Sequence, residues 1–319
     1  MNVKRILLGI VGALLILVLP RGATGTAHAV AINCDRACLF GVVDQYLAAM
    51  VAHDPSRAPI AKGAKFTENG QELTLPDGLW RIATGLRDYK NLVADPSRGA
   101  VGGFTVVEEN GKPVILGFRL KVVDRKITEM ETIVIRKGPG SFGEPDNLKA
   151  PRPDFARIEP AKTRRSRTEL IKIANTYFSA LQKNDGSIHP PFADDCNRIE
   201  NGVQTTNNPN FKSSSGTVGP ATMSCAKAFA LGYYREDSRL RDRRWLIVDS
   251  ERGLVFAGVF FDHDAALRSY KLTNGETVHV QKTSPWTWEI MELFKIHDGK
   301  IGPVEAVVNG VPYGMRPGW

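Results

Sequence analysis

The chain writes one pattern twice, and that repetition limits its possible folds more than any other feature. Tyr46-Leu47-Ala48-Ala49-Met50 with His53-Asp54 returns as Tyr177-Phe178-Ser179-Ala180-Leu181 with Asn184-Asp185. Glu68-Asn69-Gly70 returns as Glu200-Asn201-Gly202. Lys121-Val122-Val123-Asp124-Arg125-Lys126-Ile127 with Glu131 returns as Lys295-Ile296-His297-Asp298-Gly299-Lys300-Ile301 with Glu305. Three blocks in one order describe two copies of one domain, each burying its own core.

Within each copy a helical period precedes strand signals. Leu39, Val42, Val43, Tyr46, Leu47, Met50 and Val51 fall on one face at a period near 3.6, and Asp54-Pro55 ends that helix. Thr168-Glu169 opens the matching helix, which runs to Leu181. Segments 102–107, 113–123 and 128–136 read as strands, with Asn110-Gly111 and Asp124-Arg125 as tight turns. In the second copy, 245–248, 253–261, 277–280, 288–296 and 302–308 read likewise. The pattern is α+β: helices first, then a meander packed on them.

The expected organisation is a secretory leader over residues 1–29, a first domain over 33–137, a Pro/Gly-rich linker over 138–164 and a second domain over 165–312. The leader is read from Lys4-Arg5, the apolar run Ile6 to Leu19 and the small-x-small site Ala27-His28-Ala29. That run is shorter than the roughly 20 residues of a membrane span, so no stable span is expected after cleavage. Secretion or a periplasmic location follows. Between Glu200 and Glu305 the second copy is 42 residues longer than the first copy is between Glu68 and Glu131. Insertions of this kind build lids or partner surfaces on a rigid scaffold.

The formal charge of +8 includes Lys4, Arg5 and Arg21 of the leader, which leaves a mild excess. Arg235 to Arg244 is interleaved with Glu236, Asp237 and Asp242, and so reads as a self-paired face, not a nucleic-acid groove. Four cysteines in an oxidising compartment imply disulfides. Three pairings are open. Cys196 with Cys225 is preferred because these residues bracket a Gly/Ser/Asn-rich loop, and Cys34 with Cys38, four apart, would form a tight second bridge. The spacing lacks a metal-ligand pattern, so no metal is expected. The chain has no Gly-rich phosphate loop and no G-x-S-x-G elbow, so neither a nucleotide cofactor nor a serine hydrolase is expected.

Val43-Asp44 with Tyr46 and Asp54, Phe66 to Gly70, Gly78 to Trp80, Arg119-Leu120-Lys121-Val122 and Asp124 to Val134 together resemble a family of exported fungal and bacterial proteins of unknown function. That family is similar to the nuclear transport factor two-like (SnoaL-like) superfamily. The resemblance implies two tandem cone-like domains, each with helices packed in a curved antiparallel sheet around a pocket. It covers nearly all of the mature chain and is strongest in the first copy. Its functional implication is broad, because the superfamily holds cyclases, isomerases, dehydratases, lyases and plain binders. The superfamily also pairs through its sheets, so the two copies are expected either to pair within a monomer or to form a homodimer.

A cone of this kind offers an apolar pocket with a few converging polar groups. In the first copy the candidates are Tyr46, Glu68, Asn69, Trp80, Arg119 and Glu131. Glu68 or Glu131, once desolvated, would act as general acid or base, with Asn69 facing a developing oxyanion. The competing readings are an Arg119–Glu131 ion pair and a plain Asn-Gly turn. In the second copy the candidates are Tyr177, Arg198, Glu200, Asn201, His279, Trp286, Trp288 and Glu305. Trp286 and Trp288 alternate and so share one strand face, where core packing competes with an aromatic pocket. His263, within Asp262-His263-Asp264, reads as a turn residue. The functional expectation is recognition of a small hydrophobic or aromatic molecule, with cofactor-free acid–base turnover of lyase or isomerase type. The alternative is a non-catalytic module that uses its sheet faces for contact.

Overall fold

A computed structural model describes residues 34–138, 142–211 and 219–319. The leader expected at 1–29 lies outside them, as do 139–141 of the linker and 212–218 of the second copy's insertion. Each copy opens on one long helix. α1 (Arg36–Val51) starts at Asp35, whose carboxylate accepts from the Cys38 amide at 2.8 Å, and it buries Leu39, Val43, Tyr46 and Leu47. α3 (Arg167–Lys183) begins with a capping box in which Ser166 and Glu169 satisfy each other's amide, and it ends on Asn184 in the left-handed region.

Strands β1 (Ile60–Glu68) and β2 (Gln71–Glu72), the short helix α2 (Leu79–Ile82) and the meander β3 (Ala83–Asp95), β4 (Ala100–Glu109), β5 (Lys112–Val123) and β6 (Lys126–Ile135) complete the first copy. The second has β7 (Arg198–Glu200), β8 (Val203–Gln204), α4 (Cys225–Ala230), β9 (Arg239–Asp249) and β10 (Leu254–His263). A small hairpin, β11 (Ser269–Lys271) with β12 (Thr277–His279), then precedes β13 (Trp286–His297) and β14 (Lys300–Val311). The two six-stranded sheets have the same order, β2-β1-β6-β5-β4-β3 and β8-β7-β14-β13-β10-β9. The fold is therefore α+β with two tandem units.

One sequence expectation changes. The sheets are mixed, because β1 runs parallel to β6 and β7 runs parallel to β14. No hairpin joins those strands; the chain reaches the second through the short helix and the meander, and such a long connection permits parallel pairing. From Arg239 onward the Arg-rich run forms β9, and it is self-paired in part, Arg241 with Asp242. There Arg239 and Arg241 both bind the buried Asp262 across the ladder.

The repeated motifs are turns. Asn69-Gly70, Asn201-Gly202, Asn110-Gly111 and Asp298-Gly299 all carry positive φ at both residues, the geometry of two-residue hairpins. The two Glu-Asn-Gly asparagines do more than turn. Asn69 Oδ1 accepts from the Val134 amide and Asn201 Oδ1 from the Val308 amide, each at 2.8 Å, which ties each turn to the neighbouring parallel strand.

The inner face of each sheet packs on its own helix, Phe66, Phe118 and Met130 against α1, and Val259, Phe294 and Val304 against α3. The outer faces meet each other. Phe104, Val106, Ile115 and Ile133 of one sheet join Phe256, Met291, Leu293 and Val307 of the other in a third core. Contact is close enough that a Cβ on Gly117 would lie 2.5 Å from the Val307 side chain. Ion pairs cross this interface reciprocally. Arg36 binds Asp249 at 2.9 Å, and Arg167 binds Asp95. Arg36 and Arg167 begin α1 and α3, while Asp95 and Asp249 end β3 and β9, so the contact has the self-complementary character of a two-fold interface.

Candidate functional site

Strand register gives a residue-by-residue correspondence between the cones. Arg119 stands opposite Glu131 as Leu293 stands opposite Glu305, and Phe118 stands opposite Thr132 as Glu292 stands opposite Ala306. Phe66 faces Met130 as Arg198 faces Val304. Two inward phenylalanines of the first cone are thus replaced in the second by a glutamate and an arginine.

The first cone is filled. Trp80, Tyr46, Phe66 and Phe118 are buried side by side, with Tyr46 and Trp80 edge to face at 5.2 Å and the indole Nε1 donating to the Tyr46 hydroxyl at 3.3 Å. The His53 ring reaches the Trp80 carbonyl at 2.6 Å. Glu68 sits at the rim and accepts from the Leu79 amide at 2.8 Å, and burial raises its pKa.

Glu131 lies away from either cone, on the outer face between the sheets. Arg119 Nε approaches it at 3.2 Å, and Arg244 of the other sheet binds both its oxygens at 2.5 and 3.0 Å. Arg119 also pairs with Glu129 at 2.7 Å and lies over the Trp319 ring. Sequence reasoning set Glu131 and Arg119 at a pocket mouth. The register turns both outward, because Phe118 and Met130 next to them take the inner positions. Glu305 is likewise on the outer face, receiving the Tyr89 hydroxyl and the Asn91 amide.

The second cone keeps an open interior. A cavity of about 80 Å³ is lined by Tyr177, Arg198, Tyr234, Asp237, Trp288 and Glu292, with Glu200 and apolar strand residues completing the wall. Arg198 is 6 % exposed; it donates to the Tyr234 hydroxyl at 2.7 Å and binds Glu200. The rings of Tyr177, Phe229 and Tyr234 surround its guanidinium, which is attracted to their faces. Glu292 is 3 % exposed. Burial pushes its carboxyl up to about 8, against the opposing pull of the Arg198 charge and a Tyr177 hydrogen bond. Burial also raises Asp237, whose Oδ1 lies 2.8 Å from His263 Nε2. His263 ends β10 and is buried, so the turn expected there is displaced. Its ring stacks on Trp286 at 4.0 Å and meets Trp288 edge-on.

Outside this cavity lies a groove of about 800 Å³ lined by Met223, Tyr233, His279, Lys282, Trp286 and Trp288, among others. Trp288 lines both spaces. His263 pairs with Trp286 as Glu109 pairs with Lys112, so residues 264–285, including the added hairpin, stand where the first copy has only Asn110-Gly111. The groove is therefore made by the second copy's extra chain. A bridge between Cys196 and Cys225 ties β7's entry to α4, and Cys34 bridges Cys38 at the start of α1.

Of the residues singled out by sequence, the structure gathers Tyr177, Arg198, Glu200, Trp286, Trp288 and His279 around this one site. Asn201 is a buried strand staple, donating to the carbonyls of Phe142 and Val308. Glu292, Asp237, Tyr234 and His263 were missed. For Glu292 a signal existed: it is a lone acid in the apolar run Ile290-Met291-Glu292-Leu293-Phe294, aligned by the repeat with a phenylalanine.

A family model described as "Domain of unknown function (DUF8021)" matches residues 33–134 and 163–308, and the chain belongs to that family. No curated protein matches the chain. Among solved structures, AclR from Streptomyces galilaeus is 18% identical over 48% of this chain and 93% of its own, with a TM-score of 0.27. AusH from Aspergillus nidulans is 16% identical over 45% and 86%, with a TM-score of 0.28. A de novo designed protein with a curved β-sheet is 16% identical over 46% and 88%, with a TM-score of 0.26.

Proposed function

We propose that this member of the family is an exported small-molecule-binding protein whose second cone is the working site, with proton transfer as its chemistry. The observation that carries this reading is the exchange of Phe118 for Glu292 and Phe66 for Arg198 at matched positions, which replaces packing with buried, opposed polar groups. A buried acid unpaired by any cation of its own costs stability, and a chain keeps such a group where it has a use. Of the three carboxyls that line the cavity, Glu292 and Glu200 have surroundings different enough to suit an acid–base pair. Glu292 stays protonated near neutral pH and can donate, and Glu200, paired with Arg198, can accept. The groups that would move protons belong to the chain itself, so the reading needs no cofactor.

The alternative, an interaction module acting through its sheet faces, is weakened because those faces already cover each other. Export is supported by two disulfides, which suit an oxidising compartment. Among the described residues no helix is long and apolar enough to cross a membrane.

The test is a thermal-shift screen of the oxidised protein against phenolics, terpenoids, polyketides and sugars, repeated with Ala306→Phe and Glu68→Gln. Ala306 lines the second cavity, and a phenyl ring there would fill it. A ligand at one hundred times its dissociation constant stabilises by about 2.7 kcal/mol. That shift should vanish in Ala306→Phe and persist in Glu68→Gln. A shift that survives Ala306→Phe would rule out the second cone.

A further inference from the structure

We infer that the first copy carries a peptide-docking site on the outer face of β1, and that residues 315–319 occupy it as an exchangeable ligand, replaceable in trans by the same segment of a second copy of this chain. The site is the Glu68-Asn69-Gly70 turn with the strand before it. Lys65 stands opposite Glu129, and Thr67 and Arg119 both stand opposite Glu131, so the three side chains share one face. Lys65 Nζ and Arg119 Cζ lie 4.6 and 4.7 Å from the centre of the Trp319 ring, which brings two cations to one indole. The indole Nε1 donates to Thr67 Oγ1 at 3.0 Å, and Lys65 also donates to the Gly318 carbonyl. Met315 packs on the turn itself. A Cβ on Gly70 would lie 2.4 Å from the Met315 methyl carbon, and the Gln71 side-chain amide reaches the sulfur at 3.5 Å.

The second copy repeats the arrangement. Residues 142–147 come after β6 as 312–319 come after β14, and each stretch lands on the other copy's Glu-Asn-Gly turn. Asn201 Nδ2 donates to the Phe142 carbonyl at 3.0 Å, the Glu144 amide to the Asn201 carbonyl at 2.8 Å, and Asn147 Nδ2 to the Gly202 carbonyl at 3.0 Å. A Cβ on Gly202 would lie 2.3 Å from the Glu144 carbonyl oxygen. Both turns therefore need glycine for close approach as well as for positive φ. Docking a neighbour's segment is thus what the repeated turn does in each copy. On the first copy the occupant is held as a ligand is. Residues 316–319 join no strand or helix, and Met315 is fixed at its carbonyl by Arg241 of β9 at 2.6 Å. The indole, the thioether and these few polar contacts do not need the covalent link through 312–314, so a separate peptide can make them all. In the intact chain that link holds the segment at an effective concentration on the order of millimolar, which keeps the site filled in cis.

The experiment uses the full chain with a specific protease sequence inserted between Tyr313 and Gly314, folded and oxidised intact and then cut. Gel filtration at high concentration should show the released segment co-eluting with the body, and dialysis after dilution should free it. Isothermal titration of the emptied body with a synthetic peptide of residues 314–319, acetylated and amidated, should then report one site. The same peptide carrying Trp319→Ala should bind about ten-fold more weakly, the ratio expected of one hydrogen bond with a cation–π contact. Lys65→Ala and Thr67→Val in the body should each weaken the unmodified peptide. The uncut chain should bind it about a hundred-fold more weakly than the emptied body, because its own segment competes. A segment lost at the first gel filtration would overturn the docking site, and that result is read on a chain folded before cutting, so it decides the matter even if the emptied body unfolds. Equal affinity for cut and uncut chain, or for the unmodified and Trp319→Ala peptides, would overturn it as well.

Discussion

Glu289 and Glu292 lie three residues apart on β13 and face opposite ways, Glu289 toward the other sheet and Glu292 into the second cone. Both are pushed up to about 8 by burial, Glu289 further by Glu131 beside it and held back by Arg244. A carboxyl whose folded value exceeds its unfolded one binds its proton more tightly in the native state. Its contribution is therefore complete below about 4.5, and is lost as pH rises through about 8. Each pH unit of separation is worth roughly 1.4 kcal/mol, so the two groups together should cost several kcal/mol between mildly acidic and mildly alkaline solution. Urea titrations across that range should show stability falling with pH in the wild type and a flatter profile in Glu289→Gln and Glu292→Gln. A wild-type profile flat over the same range would contradict the assignment. The Glu131 cluster differs in kind, because Arg119 and Arg244 hold that carboxylate as an ion pair.

At the level of elements, the second copy differs from the first by what it inserts between conserved strand positions. Residues 264–285 replace a two-residue turn, and the chain between β8 and β9 carries α4 and the half-cystine Cys225. The described part of this added chain has little regular structure of its own, so its order depends on anchors. Thr273 bonds the Leu231 and Ala230 carbonyls, tying the added hairpin to the end of α4. The Cys196–Cys225 bridge closes a separation of 29 residues, and Cys34–Cys38 closes only 4. Loop-closure entropy assigns about 3.5 kcal/mol to the longer and about 2 kcal/mol to the shorter. Replacing Cys196 and Cys225 together by serine should lower the unfolding free energy more than replacing Cys34 and Cys38, as read by denaturant midpoints. The reverse order would mean that the α4 segment is held by packing alone.

For the whole molecule, the governing fact is that each sheet's outer face is covered by the other. Phe256, Met291, Leu293 and Val307 would be open to water in the second half alone, and so would Arg167 and Asp249 lose their partners. A contiguous apolar face left open in this way is an association surface. Residues 163–319 expressed alone should therefore self-associate or precipitate, and light scattering after size exclusion checks this. A stable, soluble monomer would show that the interface contributes little. Because the contact is pseudo-symmetric, a soluble dimer of that half is the specific expectation, with Asp249→Ala weakening it twice over.

Much of this was legible in the chain. Repeated blocks announce two units, period 3.6 announces α1 and α3, and Asn110-Gly111 and Asp124-Arg125 announce tight turns, because these depend on local backbone preference and on which face must be apolar. β3 was not legible: its exposed and buried residues alternate irregularly across a register shift. The parallel pairing of β1 with β6 was also hidden, since it joins residues far apart in sequence. Which cone is filled and which is open depended on tertiary structure alone. The direction in which Arg119, Glu131 and Glu292 face follows from strand register, and a one-residue shift reverses it. The sequence by itself determined two α+β units, their helices and their turns. Only the packed sheets decided that the carboxylate of Glu131 belongs to an interface and that of Glu292 to a cavity, because burial and partners are properties of the assembled faces and not of the residues.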